Sequence, residues 1–363
     1  MASFVALLYT ICIFSTIVTV ESQISTVFSN PVKNFPLGNI EFDPQTDAFF
    51  VSAKNVLYKF NREDFQEELK NITGPQVGCK TENGKSCDDH NSVMVVTSNG
   101  LITCSTSNSG RCIRRNKENL KNISPDVTNI ALVSDVDASA VGIFLNIRVR
   151  DKQKNKSIVL FAKQYSPIIA LQKLDRSAIF SVLPTLKDKA ISSDLKESGI
   201  FDVFLKKIDG VPMSKMDYRV VMENEEFVFL LVNQDSQAKL VKLCKSIDSE
   251  NPKRVYEDIP IACSGKDGTN YTHVVHGTFV SEKRYLVALF STSPSTVTSA
   301  VCVYSKEEIY EAYLDSRKDR FECPKHDLQQ RDEVFDDVSK FNIDKCVNLS
   351  EDEVIDDGTL NHN

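Results

Sequence analysis

The chain has no tryptophan, only five histidines, and no net positive charge: its formal net charge at pH 7 is −7. Without Trp, an anchor for a partner surface must come from Phe, Tyr, Leu or Arg. The histidines are His90, His273, His276, His326 and His362. His273 and His276, three apart, could hold zinc from one face of a helix. Their context, THVVHGTFV, is strand-like and lacks H-E-x-x-H, so both read as ordinary strand or turn residues. G-x-S-x-G and G-x-x-x-x-G-K-[ST] are both missing, as is any C-x-x-C pair of the kind a zinc ribbon or thioredoxin-like site needs. The acidic balance argues against nucleic-acid binding and against a polybasic membrane surface. The basic pair Arg114-Arg115 and the run RVRDKQKNK (148–156) read as solvated strand ends rather than a docking patch. The acidic runs DEVFDD and EDEVIDD lack EF-hand spacing and read as solvated loops. The expectation is a non-enzyme with no cofactor and no metal.

Long apolar runs are also scarce. The one present is the opening MASFVALLYTICIFSTIVTVES, apolar from Phe4 to Val20 and then polar, with Val20 and Ser22 at the −3 and −1 positions of a signal-peptidase cut before Gln23. No Lys or Arg precedes Lys33, so the usual positive n-region is missing. The competing reading is a retained anchor, and about 17 apolar residues lie at the short limit for spanning a bilayer. Residues 1–22 are therefore expected to be a signal peptide, and residues 23–363 the secreted or extracellular chain. Five N-x-S/T sequons, at Asn71, Asn122, Asn155, Asn270 and Asn348, agree with glycosylation in the secretory pathway.

Cysteine is plentiful: ten, of which Cys12 would leave with the signal. In an oxidising compartment the rest should pair. LITCSTSNSGRCIRR reads as strand, Ser-Asn-Ser-Gly turn, strand, which sets Cys104 and Cys112 opposite each other within disulfide reach. Cys79 and Cys87 bracket KTENGKS, with an Asn-Gly turn signal, and form a second local loop. Nine mature cysteines are an odd number, so one thiol is left free or bonded outside the chain.

The rest reads as strands. DAFFVSAKNVLYKF, NSVMVVTSNGLITCST, SAVGIFLNIRVRD, KSIVLFAKQ, EEFVFLLVNQDSQAKLVKLCK and KRYLVALFSTSPSTVTSAVCVYS are β-branched or aromatic runs parted by polar turns. Helices are expected only at REDFQEELKN (62–71) and KEEIYEAYLDSRKD (306–319). Strand pairs recur at steps of about 60 residues, which suggests four-stranded propeller blades; two β-sandwiches are the alternative. No linker rich in Pro, Gly or Ser divides the chain, so one continuous domain is favoured.

TGPQVGCKTENGKSCDDHNSVMVV and GLITCSTSNSGRCIRR resemble the sema domain in its plexin version. So do SAKNVLYKF (52–60), AKLVKLCKS (238–246), YEDIPIACSG (256–265) and VALFSTSPSTVTSAVCVYS (287–305). The resemblance implies an all-β, seven-bladed β-propeller, of which this length supplies about five blades, with a few short helical insertions. It implies the pairs Cys79–Cys87, Cys104–Cys112, Cys263–Cys302 and Cys323–Cys346. The family partner of Cys244 would lie just beyond the segment matching IDDGTLNHN, so Cys244 is expected to be the unpaired thiol. Two readings of the short length follow: a piece of a longer receptor, or a truncated secreted form acting as a decoy.

What the resemblance implies for function is a semaphorin receptor module that binds a semaphorin or another sema-domain protein without covalent chemistry, with a homodimer as a further partner. It does not place the ligand contacts. A semaphorin-like ligand is the alternative within the same fold. From another class, a secreted propeller glycosidase would need clustered carboxylates with strongly perturbed pKa values.

Overall fold

A computed structural model describes residues 37–63, 65–75, 88–106, 110–124, 139–149, 154–164, 178–182, 202–204, 216–234, 236–247, 256–280, 282, 284–294, 298–322, 341–342 and 347–348. The chain divides into two compact units, Met1–Asn91 and Ser92–Asn363.

The first unit holds an antiparallel sheet in the order β1 (Leu37–Asp43), β2 (Ala48–Ala53), β3 (Val56–Asn61) and β4 (Glu67–Ile72). Two residues, Lys54 and Asn55, join β2 to β3, with Ala53 facing Val56. Asn55 sits at φ 65°, the left-handed turn conformation that Asn tolerates better than most residues. Val51, Ala53, Val56, Tyr58 and Phe60 form one apolar cluster, with Phe49 against it.

The helix expected over 62–71 does not form. Its second half is strand β4, pairing Tyr58 with Lys70 and Val56 with Ile72. The edge of β3 offers backbone partners that an isolated helix of this length could not outweigh. A Lys59–Glu68 ion pair at 2.8 Å and the Lys70 ammonium over the Tyr58 ring fasten the strand.

The second unit carries four larger sheets. The second sheet of the chain is β5 (Asn91–Thr97), β6 (Gly100–Ser105), β7 (Cys112–Arg115) and β8 (Asn122–Ser124). The third is built from β9 (Ala140–Val149), β10 (Lys154–Lys163), β11 (Ala178–Val182) and β12 (Asp202–Phe204). The fourth contains β13 (Met216–Glu223), β14 (Phe227–Gln234) and β15 (Gln237–Cys244). Strand β16 (Ser246–Ile247) then crosses to pair in parallel with β9, and β17 (Tyr256–Pro260) returns to the far side of β15. A hairpin of β18 (Cys263–Ser264) and β19 (Asn270–Tyr271) leads to the fifth sheet, β20 (His273–Val280), β21 (Tyr285–Ser291) and β22 (Ser299–Ser305). Helix α1 (Lys306–Glu322) follows, then the small hairpin β23 (Phe341–Asn342) and β24 (Val347–Asn348).

Within this unit the first strand of each sheet lies beside the first strand of the next. A Cβ added at Gly142 of β9 would meet Val95 of β5 at 2.9 Å, so glycine permits that approach. Tyr218 of β13 donates its backbone N–H to Ser139 Oγ, just ahead of β9, at 2.8 Å. Strand β13 also packs against β20. Successive meanders stacked through their first strands are the radial arrangement of propeller blades.

All eight residues of β14 are buried, as expected for a strand covered on both faces. Helix α1 starts on a reciprocal cap: Ser305 Oγ accepts from Glu308 N–H at 3.2 Å, and Glu308 Oε2 accepts from Ser305 N–H at 2.7 Å. It docks through Ile309 and Tyr313, whose hydroxyl donates to Leu240 O at 2.8 Å.

Candidate interaction surface and its disulfide frame

Cys104 and Cys112 face each other across the β6–β7 hairpin and are bonded, with Cα atoms 3.9 Å apart. Cys263 of β18 is bonded to Cys302 of β22, 39 residues on. Together with the Tyr304 hydroxyl donating to Ala262 O at 2.7 Å, that bond ties the β18–β19 hairpin to the fifth sheet. Cys79, Cys87, Cys323 and Cys346 lie outside the described residues, and so does the segment 1–22.

Cys244 requires a correction. It is disulfide-bonded, not the odd thiol. It is buried at the end of β15, opposite Phe227, and its partner lies outside the described residues. The resemblance made Cys244 the odd residue because it placed that cysteine's partner beyond the segment matching IDDGTLNHN and assigned Cys323 and Cys346 to each other.

Of the sequons, Asn122 on β8, Asn155 on β10 and Asn270 on β19 are exposed, while Asn71 on β4 is half-buried. Asn348 lies on β24.

Titratable side chains converge where β13, β14 and β20 meet. Arg219 Nε lies 2.8 Å from Asp217 Oδ2, and Arg219 Nη2 contacts His273 Nε2 at 2.9 Å. Because the guanidinium can only donate, His273 Nε2 accepts, and the ring is neutral with its proton on Nδ1. Burial holds the His273 pKa below its ordinary value; Arg219 adds to this and Asp217 opposes it. Asn233 locks the strands together. Its Oδ1 accepts from Val274 N–H at 2.8 Å while its Nδ2 donates to Val274 O at 2.9 Å, next to the bulge after Val274. The arrangement joins two sheets through a side-chain amide that stands in for a backbone pair.

His276 does not join His273. The two lie on either side of that bulge, one exposed and one buried. Among the described residues no group of three His, Cys, Asp or Glu side chains is placed to hold a metal.

Several buried ions carried no local signal in the sequence. Lys242 Nζ lies 2.7 Å from Glu257 Oε2 and over the rings of Phe227 and Tyr313, at 4.8 and 4.4 Å. Lys239 Nζ donates to Gln234 Oε1 at 2.8 Å, with Asp258 Oδ2 at 3.6 Å. Arg115, expected at a solvated strand end, is buried instead. It donates to Thr103 Oγ1 at 2.9 Å, Leu120 O at 3.2 Å and Asn122 Oδ1 at 2.9 Å.

Lys163, at the end of β10, is fully buried with no hydrogen-bond partner for its ammonium among the described residues, and burial lowers its pKa to about 8. Burial likewise raises Glu41 of β1 to about 7. In both, burial is the cause, not a neighbouring charge of the kind that couples an acid to a base.

What faces outward is apolar in one place. Of the nine large exposed hydrophobic residues among those described, five (Val275, Val280, Tyr285, Val301 and Val303) belong to the fifth sheet.

No family model matches the sequence, and no curated protein matches it. Solved structures do match the fold. The full extracellular region of plexin A4 aligns over 80% of this chain at 18% identity with a TM-score of 0.57, and this chain spans 36% of it. Drosophila semaphorin 2a aligns over 77% of this chain at 15% identity with a TM-score of 0.52, and this chain spans 49% of it. The fold is therefore all-β and of the sema type, a β-propeller class. The plexin-type resemblance read from the cysteine-bearing segments accords with that fold. Among the described residues no helix is long and apolar enough to cross a membrane.

Proposed function

We propose that the chain is a plexin-like extracellular sema module that binds a semaphorin-type ligand by non-covalent surface recognition. The observation that carries this reading is the fold shared with the extracellular region of plexin A4, over four fifths of the chain. Residues 23–363 would belong to the sema domain, after a signal peptide at 1–22. The five glycosylated asparagines belong to the same reading, as does secretion or display at the cell surface, and of the Cys79–Cys87 and Cys323–Cys346 pairs it keeps one, because the bonded Cys244 takes a cysteine from the other. Catalysis has no part in it, because recognition needs only a rigid frame and loops held by disulfides. The fold shared with semaphorin 2a favours a second reading, a semaphorin-like ligand.

Titrating the purified chain against immobilised semaphorin and plexin ectodomains distinguishes the two. Saturable binding to a semaphorin supports the receptor reading. Binding to a plexin alone replaces it with the ligand reading, and binding to neither removes both.

A further inference from the structure

The seam between the fourth and fifth sheets is closed by polar side chains around one imidazole. His273, at the start of β20, is buried. Its Nε2 is met by two donors, Arg219 Nη2 at 2.9 Å and Asn233 Nδ2 at 3.3 Å. The Asn233 amide cannot be turned round, because its Oδ1 accepts from Val274 N–H and its Nδ2 donates to Val274 O. Both contacts to the ring therefore need a lone pair on Nε2. Asp217 Oδ2 completes the group, accepting from Asn233 Nδ2 at 3.3 Å and pairing with Arg219 Nε at 2.8 Å.

We propose that this cluster is an acid-sensitive latch: a proton taken up at His273 Nε2 turns the shared acceptor into a donor facing a guanidinium and an amide N–H, and loosens β20 from β13 and β14. The surrounding elements offer that proton little compensation. From β13 come Asp217 and Arg219, with Glu223 at the far end paired to Lys245. Asp217 Oδ2 lies 4.0 Å from Nε2 but is already engaged by Arg219 and Asn233. Strand β14 carries no charged residue. The lysines of β15, Lys239 and Lys242, are paired with Asp258 and Glu257 of β17. Strand β21 sets Ser291 opposite His273, and His276 lies beyond the bulge, exposed.

The sign follows from the surroundings of the ring. Burial and the Arg219 charge hold the His273 pKa below 6.5, with Asp217 opposing them. An opened seam binds the proton more tightly than a closed one. Closure is thus at full strength above about pH 6.5 and weakens as the pH falls below it. The latch holds at neutral pH and gives way at the acidity where histidine switches operate, roughly pH 5–6. It stands whether the chain is a receptor or a ligand.

Hydrogen exchange of the full chain, corrected for the intrinsic effect of pH on exchange, tests this locally. A local reading is needed because Glu41, in the first unit, titrates at about 7 and would mix into a global melting curve. Between about pH 7.5 and 5.5, protection over 216–223 and 273–280 is expected to fall by about three- to tenfold, tenfold being one pKa unit of differential binding. Protection over β5 and β6 should change less. His273→Gln keeps an acceptor for Arg219 but takes no proton, so it should abolish the pH difference. A second reading comes from the imidazole nitrogen shifts of the histidine-labelled chain. One ring should be the Nδ1–H tautomer at neutral pH with a midpoint below 6.5, and Arg219→Gln, which still donates but carries no charge, should move that midpoint upward. The latch is overturned if protection of β20 is the same at both pH values, or if its loss persists undiminished in His273→Gln. A His273 ring that titrates at 6.5 or above also overturns it.

Discussion

Strands β14 and β21 have the same kind of sequence, FVFLLVNQ and YLVALFS, and opposite fates. Every residue of β14 is buried, between the third and fifth sheets. From Tyr285 to Phe290, strand β21 alternates between buried residues and residues partly or fully exposed. The two sheets do not differ in propensity or pattern. They differ in whether a neighbour lies on the second face. An apolar run on both faces states what a strand requires, and only the surrounding sheets supply it.

The contrast can be broken most sharply at Phe229, in the middle of β14. Phe229→Ala removes a ring packed edge-on against Phe227 and Phe279, and is expected to cost about 3–5 kcal/mol in urea unfolding. Next comes the ion pair beneath the helix. Lys242→Ala strands Glu257 in the core at a cost of about 3–5 kcal/mol, whereas Lys242→Met with Glu257→Leu recovers most of that loss. A double-mutant cycle followed by denaturant midpoint checks it.

Gly277 of β20 sharpens the comparison from the fifth sheet's buried side. A Cβ there would collide with Leu231 Cδ1 and approach Val287 O to 3.1 Å. Gly277→Ala is therefore expected to lose about 1–3 kcal/mol through overpacking.

Lys163 offers a pH-dependent test. Its folded pKa of about 8 lies below the 10.5 of an exposed lysine. The unfolded chain thus binds the proton more tightly, and folding stability rises between pH 8 and 10.5. The penalty of the buried charge is fully present below pH 8. Lys163→Met should raise the melting temperature at pH 7 by a few degrees, roughly 2–5 °C, and the gain should shrink as pH climbs through that window. A gain independent of pH would count against a buried ammonium.

The smallest effect belongs to the open face. Val303→Ala should stay within about 0.5 kcal/mol at concentrations where the chain is monomeric, because a side chain 58% exposed has little burial to lose. A cost near that of Phe229→Ala would mean that the face is covered.

Much of this architecture was legible in one dimension. Apolar alternation marked the strands, the strand pattern on either side of Cys104 and Cys112 set the two against each other, and the helix at 306–319 emerged with three further residues. These signals act over a few residues, through turn geometry and side-chain period, and tertiary contacts agreed with them.

Other features were decided by groups brought together from far apart. Residues 67–72 became a strand because the β3 edge was waiting for a partner. Lys242 could be buried because Glu257, Phe227 and Tyr313 converge on it, and Arg115 because Thr103, Leu120 and Asn122 receive its hydrogens. Cys244 is bonded, although the resemblance had placed its partner beyond IDDGTLNHN. The sequence by itself determined the strands, one hairpin staple and the helix, because those depend on neighbours along the chain. Tertiary structure alone decided which lysines are buried and which apolar face stays open, because burial and pairing depend on neighbours in space.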